Sequence, residues 1–361
     1  MKLLRHFTTD LDWRTVRTLV AALAVAGAVG GGAVVAFGLY NVSAKVGHLP
    51  GVSPILHETF RNSVDLRAHA EPPADLQTED RVKLGAGHYD SACRHCHAAP
   101  GQERSATVLS MVPQPPHITD AVGDWTASEF HWIVHQGVKM SGMPGWPAKR
   151  SDEVWSVVAF LMEVGEMSGP RYAELTDKPE GKTCAMCHGL DGVSGSAHIP
   201  RLDILSETYI AQSLSAYAAG TRDSGIMAEA MSHVPADAIP RLAAAFAGNA
   251  PSGGPARDVD TELAETGRAL ATEGGTVEVP ACNACHGPWD KPLDPAFPSL
   301  AGQYAPYLKT QLELWREGIQ GGGRVAELMH HAAQELTDAQ IEALAAYYAS
   351  LAPATLDETR D

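Results

Sequence analysis

Three short segments of the chain repeat one arrangement, Cys-x-x-Cys-His. They are Cys93-Arg-His-Cys96-His97, Cys184-Ala-Met-Cys187-His188 and Cys282-Asn-Ala-Cys285-His286, and together they use all six cysteines. Two thiols three positions apart, near a helix turn, can form thioethers to the two vinyl groups of one porphyrin. The adjacent histidine then offers its imidazole to the iron from the same side, so this spacing is the attachment signature of a c-type haem. Zinc would need two pairs at one site, but the pairs begin 91 and 98 residues apart. A dithiol redox site would sit in a βαβ pattern, which is not visible. Two-residue spacing also strains a structural disulfide. The motifs therefore predict three haems, with His97, His188 and His286 on the irons.

The sixth ligand decides whether such an iron transfers electrons or reacts. A thioether stabilises the ferrous state, raises the potential and closes the site; a vacancy suits oxygen or peroxide chemistry. A methionine between the motif and the last helix of each unit is therefore the candidate ligand. The third offers Met329, 43 residues after His286. The second offers Met227 and Met231. Met227 lies ten residues before Asp237, much as Met329 lies nine before Asp338, which favours Met227 and leaves Met231 as its rival. The first offers Met140 and Met143. Met143 sits in Gly142-Met143-Pro144, which resembles the Thr-Gly-Met-Pro turn that carries the ligand in many single-haem cytochromes. Met140 is read as packing, and Met111, Met162, Met167 and Met186 as packing or surface. With 16 histidines, bis-histidine ligation competes: His330 and His331 follow Met329, and His131 and His135 are one helical turn apart. Lacking a third ligand, that last pair reads as a solvated or propionate-facing surface rather than a metal site.

The elements that must hold these groups recur with them. Each unit closes on a helix-like stretch. In the first it is 151–164, with Ser151 as cap and Asp152 and Glu153 in the first turn. In the second it is 237–247, interrupted by Pro240. In the third it is 337–351, where Thr337 and Gln340 form a capping box. Leu56, Phe60 and Val64 mark one face of a short helix before Pro72-Pro73, and 249–257 reads as a linker. The second and third units align without gaps over one stretch: His188 to Pro200 and His286 to Pro298 are both 12 residues, and Leu202, Tyr209, Leu214, Tyr217 and Gly220 match Leu300, Tyr307, Leu312, Trp315 and Gly318. They look like a duplicated pair. The first unit differs, with Pro113, Pro115 and Pro116 in its post-cysteine loop.

Over about residues 76–355 the chain resembles the bacterial c-type cytochromes, as one single-haem domain followed by a tandem di-haem pair. In that family a glycine, an aromatic four later and the first cysteine four later mark the opening helix; Gly85, Tyr89 and Cys93 match. The resemblance implies that this helix crosses the closing helix, where Trp155 meets it. It also implies that a carbonyl at Pro200, at Pro298, and at Pro115 or Pro116 accepts the ring N–H of the proximal histidine. The third unit has Gly267 and Leu270 but inserts 272–280. The second nearly lacks an opening helix, because 169–183 is short and holds Pro170 and Pro179, so it is expected to lean on its neighbours. The implied fold is all-α, three cytochrome c domains in series (76–168, 169–250 and 258–355) after an N-terminal transmembrane helix.

A hydrophobic content of 45% excludes global disorder, and 27 Lys+Arg against 43 Asp+Glu, net −16, argues against nucleic-acid binding. Residues 19–40 carry no charge, and as a helix they would cross a hydrocarbon core of about 30 Å. Lys2, Arg5, Arg14 and Arg17 against Asp10 and Asp12 leave the preceding 17 residues at +2 and the remainder at −18. The basic flank predicts a cytoplasmic stub (1–17), an anchor (18–40), a periplasmic connector (41–75) and haem domains on the periplasmic face of a bacterial inner membrane. A cleaved signal peptide is the rival reading, with sites at Ala24-Val25-Ala26 or Ala26-Gly27-Ala28.

The function expected is a membrane-tethered electron carrier, not an enzyme, with no small-molecule substrate. Its partners would be redox proteins: a quinol–cytochrome c oxidoreductase, a terminal oxidase, a soluble cytochrome or a periplasmic dehydrogenase. The alternative is the cytochrome subunit of such a dehydrogenase, fed by a flavin or quinone catalytic subunit. A di-haem peroxidase would need an open iron, which a methionine in every unit argues against.

Overall fold

The computed structural model describes residues 12–139, 141–177, 184–253, 259–275, 278–288, 293–323 and 325–354. Most of the expected cytoplasmic stub, Met140 and Pro179 lie outside them. Among the described residues the regular structure is helical, with only isolated bridges at Ala99–Gln102 and Val138–Met143.

The first helix, Trp13–Phe37, begins where the Asp12 carboxylate accepts the N–H groups of Arg14 and Thr15, and ends at Gly38, whose φ of 61° breaks it. It therefore starts and stops earlier than the apolar run 19–40. Its 25 residues are long and apolar enough to be a membrane span or a signal sequence, and none is buried. Helix Val52–Asp65 follows and docks on the first unit: Val64 is buried, Phe60 meets Trp125 edge-on at 5.5 Å and the Arg61 guanidinium lies 4.9 Å from that ring. Leu56, expected on the same face, is exposed, and the helix ends well before Pro72.

In the first unit Glu79–Ala92 crosses Val154–Val164. Glycine is required at the crossing, because a Cβ on Gly85 would stand 1.8 Å from the Ser156 carbonyl oxygen. Tyr89 meets Phe160 at a tilt, ring centroids 4.9 Å apart, one turn further along. The crossing thus closes on Ser156 and Phe160, whereas Trp155 stacks on His131 at 4.2 Å. Ser151 does not cap the closing helix; its carbonyl accepts from His131 Nε2 at 2.9 Å and from the Val154 N–H, so 151–153 form a turn and the helix starts at Val154. His131 is buried by these contacts rather than solvated. Helix Gly169–Leu175 also belongs to this core: Tyr172 is buried near Tyr89 and Phe160 and donates to Asp90 at 2.9 Å.

The third unit repeats the crossing. Helix Thr261–Glu273 lies across Asp338–Ser350, and a Cβ on Gly267 would stand 1.9 Å from the Ala343 carbonyl oxygen. Thr337 and Gln340 form the expected capping box.

The second unit is built differently. Its last helix, Ile239–Ala247, follows a 3-10 turn at Ala236–Ala238 and packs on Glu207–Ala218. Pro240 sits in the helix's first turn, where a missing N–H costs nothing, so it opens the helix instead of interrupting it. The core holds Ile204, Leu205, Ile210 and Ala243. Beside it lies a buried ion pair, Arg201 to Asp203 at 2.6 Å, with Asp203 fully enclosed.

Both neighbours brace this unit. From the first unit and the connector before it, Gly87 on the opening helix receives Met186, Trp146 covers Gly225, and Asp75 meets His198 at 2.9 Å. From the third, the buried Gln303 side chain pairs with both backbone groups of Arg201, at 2.9 and 3.1 Å, and the Tyr304 hydroxyl donates to the Ser194 carbonyl.

Candidate haem sites

Each Cys-x-x-Cys-His segment forms a single helical turn: Arg94–His97, Ala185–His188 and Asn283–His286. Each ends on a residue with positive φ: Ala98 at 55°, Gly189 at 76° and Gly287 at 72°. Glycine adopts this conformation freely; Ala98 is held in it, its carbonyl accepting a buried 2.6 Å hydrogen bond from the Tyr89 hydroxyl.

The three histidines share one environment. His97 Nδ1 donates to the Pro116 carbonyl at 3.0 Å, His188 Nδ1 to Pro200 at 3.3 Å, and His286 Nδ1 to Pro298 at 3.0 Å. In the first unit Pro116, not Pro115, plays this part; the Pro115 carbonyl accepts from Arg104 instead. Burial pushes all three imidazoles below their usual range, against the opposing effect of the carbonyl bond. A neutral ring whose Nδ1 donates carries its lone pair on Nε2, the atom needed by a metal.

None of the six cysteines is in a disulfide. Burial pushes the Cys93 thiol up to about 12 and Cys282 to about 11. A dithiol redox site needs the opposite shift, toward thiolate.

The third unit encloses a cavity of about 290 Å³ that brings together Cys282, Cys285, His286 and Met329. Its wall is mostly aliphatic and aromatic, with Leu308, Leu344 and Tyr348 from the surrounding helices. Tyr209 and Arg222 reach in from the second unit. Arg222 is buried and its Nε has no hydrogen-bond partner, although Nη1 donates to Tyr209 and Ser213. An apolar cavity lined by two thiols, an imidazole, a thioether and one underused buried guanidinium fits a porphyrin and its carboxylates. Sequence spacing did not single out Arg222 or Tyr348; the Tyr348 hydroxyl donates to Asn283 inside the motif, a contact with no periodic signal.

Met143 lies in the loop after Ala127–Gln136, its carbonyl accepting from the Val138 N–H, and it lines a shallow depression with Gln136 and Pro144. Met227 sits in the first turn of Gly225–Ser232 and is half-buried, whereas Met231, on the same helix, is 5% exposed. Met186 packs beside Gly87 and Met111 beside Gly142, and Met162 is exposed. His330 Nδ1 is engaged by the Trp315 carbonyl at 2.7 Å. Among the described residues no group of three or more His, Cys, Asp or Glu side chains is placed to hold a metal ion.

Comparison with known proteins finds cytochromes. The family described as "Cytochrome C oxidase, cbb3-type, subunit III" matches residues 80–161, and the family "Cytochrome c" matches 264–352. The thiosulfate dehydrogenase electron acceptor of Thiomonas intermedia is 36% identical over 174 residues, 48% of this chain and 80% of that protein. Its counterpart from Stutzerimonas stutzeri is 34% identical over 50% of this chain and 84% of its own length. Cytochrome c4 of Pseudomonas aeruginosa is 32% identical over 54% of this chain and 98% of that protein. Cytochrome c domains of this kind imply covalently bound haem c and electron transport. The chain belongs to the cytochrome c family.

Proposed function

We propose that the chain is a membrane-tethered periplasmic electron-transfer protein carrying three c-type haems, one in each unit. A bound c-type haem supplies a one-electron couple between ferric and ferrous iron. Cys93 and Cys96, Cys184 and Cys187, and Cys282 and Cys285 would hold the porphyrins. His97, His188 and His286 would present Nε2, oriented by the proline carbonyls. Met143, Met227 and Met329 would close the opposite faces, set the potentials and exclude exogenous ligands. The observation that carries this reading is the threefold recurrence of one device: a single-turn Cys-x-x-Cys-His helix whose histidine donates to a proline carbonyl. The burial of Met231 in protein packing, beside a half-exposed Met227, supports Met227 as the second unit's ligand.

The apolar helix Trp13–Phe37 supports a tether. A tether keeps a carrier near membrane partners and raises their effective concentration. A −18 body would steer toward basic docking faces. The second reading, a cytochrome subunit that accepts electrons from a periplasmic dehydrogenase, is favoured by the two relatives described as thiosulfate dehydrogenase electron acceptors.

A spectrally resolved redox titration of the full chain tests the proposal. Three one-electron couples are expected, and Met143→Ala, Met227→Ala and Met329→Ala should each lower a different one and open that iron to imidazole. Two couples only, or a Met227→Ala variant with unchanged titration, would overturn the assignment. Copurification of a large flavin or quinone subunit would select the dehydrogenase reading over a free carrier.

A further inference from the structure

Glu153 belongs to the first unit by sequence, yet its carboxylate is spent on the second. It stands at the cap position of Val154–Val164 but makes no cap hydrogen bond there. Instead Oε2 accepts the Gly225 N–H at 2.7 Å and the Ile226 N–H at 3.3 Å, and Oε1 accepts the Ser224 hydroxyl at 2.5 Å. These are the cap and first turn of Gly225–Ser232, the helix that carries Met227. The Ser224 hydroxyl in turn accepts the Met227 N–H at 3.1 Å. One continuous path of hydrogen bonds therefore runs from the Glu153 carboxylate through Ser224 to the backbone of Met227.

The path is enclosed and reinforced. The Glu153 side chain is 8% exposed and pairs with the equally buried Arg150 at 3.3 Å. Arg150 is itself bidentate to Asp152, at 3.0 and 2.6 Å. The reciprocal contact comes from the second unit, where the Asp223 carboxylate accepts the N–H groups of Lys149 and Arg150 at 2.9 and 2.8 Å. Trp146, three residues after Met143, lies so close to Gly225 that a Cβ there would stand 2.3 Å from its Nε1. The segment 143–153 of one unit is thus clamped to 223–227 of the next.

We propose that Glu153 is a positioning residue for the second haem, fixing the helix start that sets where Met227 stands. The inference rests on Met227 being that haem's ligand. It makes the second iron's sixth ligand dependent on a side chain of the first domain, so the two units cannot be tuned independently. Hydrogen bonds to a charged carboxylate are the strong class, and an anion at a helix start also complements the dipole, which is why one buried carboxylate can hold a turn in place.

The test uses the holoprotein of the full chain, reduced, with the strongly upfield-shifted methyl resonances of iron-bound methionines read by proton NMR. Met227→Ala first identifies the second unit's resonance by removing it. Glu153→Gln is close to isosteric and should shift or broaden that resonance alone, lower that haem's potential and raise its imidazole affinity by roughly tenfold, the factor expected from weakening one charge-assisted hydrogen bond. Ser224→Ala, which cuts the same path at its midpoint, should move the same resonance. Glu163→Gln, on the exposed face of the same closing helix, should move none. If Met227→Ala removes no resonance, the ligand assignment fails. If it does, but Glu153→Gln and Ser224→Ala leave that resonance in place, the positioning role alone is overturned.

Discussion

The second and third units share the same spacing from motif to proline but are held together by different means. In the third, two helices of 13 residues cross at Gly267, and the core behind them includes Leu270, Val279, Leu308, Ile341, Leu344 and Tyr348. Among the described residues of the second no helix takes the opening position, the last helix has nine residues, and the core cluster is Ile204, Leu205, Ile210 and Ala243. Where the third has Ser299 and Ala301, the second has Arg201 and Asp203 as a buried pair. The contrast shows that neighbouring units can supply walls to a unit whose described residues include no opening helix. The opening helix of the first unit packs on the second unit's haem-motif turn and on its Met227 helix, and Gln303 of the third ties down its proximal loop.

This contrast can be broken most forcefully at the buried pair. Asp203→Asn strands Arg201 in the second unit, and the loss should be about 3–5 kcal/mol, enough to melt that unit before the others in a haem-absorbance thermal scan. The matching lesion in the third unit is Gly267→Ala, whose methyl must displace the Ala343 carbonyl. A cost of about 3 kcal/mol is expected, with early loss of the third haem's native spectrum while the second persists. Uniform melting of all units in either variant would show that the three are one cooperative body.

The joint between the first and second units can be tested with pH. His88 is buried against Trp146, ring centroids 4.7 Å apart, and burial pushes it down to about 4, opposed by the Glu229 charge. Its proton is bound more readily when the joint opens, so its contribution is fully present above about 6.5 and is lost as pH falls toward 4. Chemical denaturation across that window should show the wild type losing roughly 2 kcal/mol more than His88→Gln. Parallel slopes would show that His88 does not couple the joint to pH.

The smallest effect distinguishes the motif turns themselves. Ala98 holds a conformation that Gly189 and Gly287 adopt without strain, so Ala98→Gly should raise the first unit's stability by about 1 kcal/mol in the same denaturation experiment.

Much of this was legible in the sequence where the signal is local. The Cys-x-x-Cys-His turns, the Thr337–Gln340 capping box and the equal spacing to Pro200 and Pro298 are short-range patterns, and the structure shows the two prolines accepting from the histidines as expected. The boundaries were less legible. Ser151 looked like a helix cap, but the carbonyl it contributes to His131 and the use of Glu153 by another unit shift the helix start to Val154. Pro240 looked like a break because its position within the first turn depends on where the helix begins. The docking of Tyr172 into the first core and the Glu153–Ser224 link join residues 71 or more positions apart, and such pairings leave no periodic trace.

One covalently bound haem per unit can be read from the intact mass of the denatured holoprotein. The expected mass is the polypeptide plus three haems, falling by one haem in each of Cys96→Ser, Cys187→Ser and Cys285→Ser combined with its paired Cys93→Ser, Cys184→Ser or Cys282→Ser. A wild-type mass carrying two haems, or a paired substitution that leaves the haem count unchanged, would contradict it.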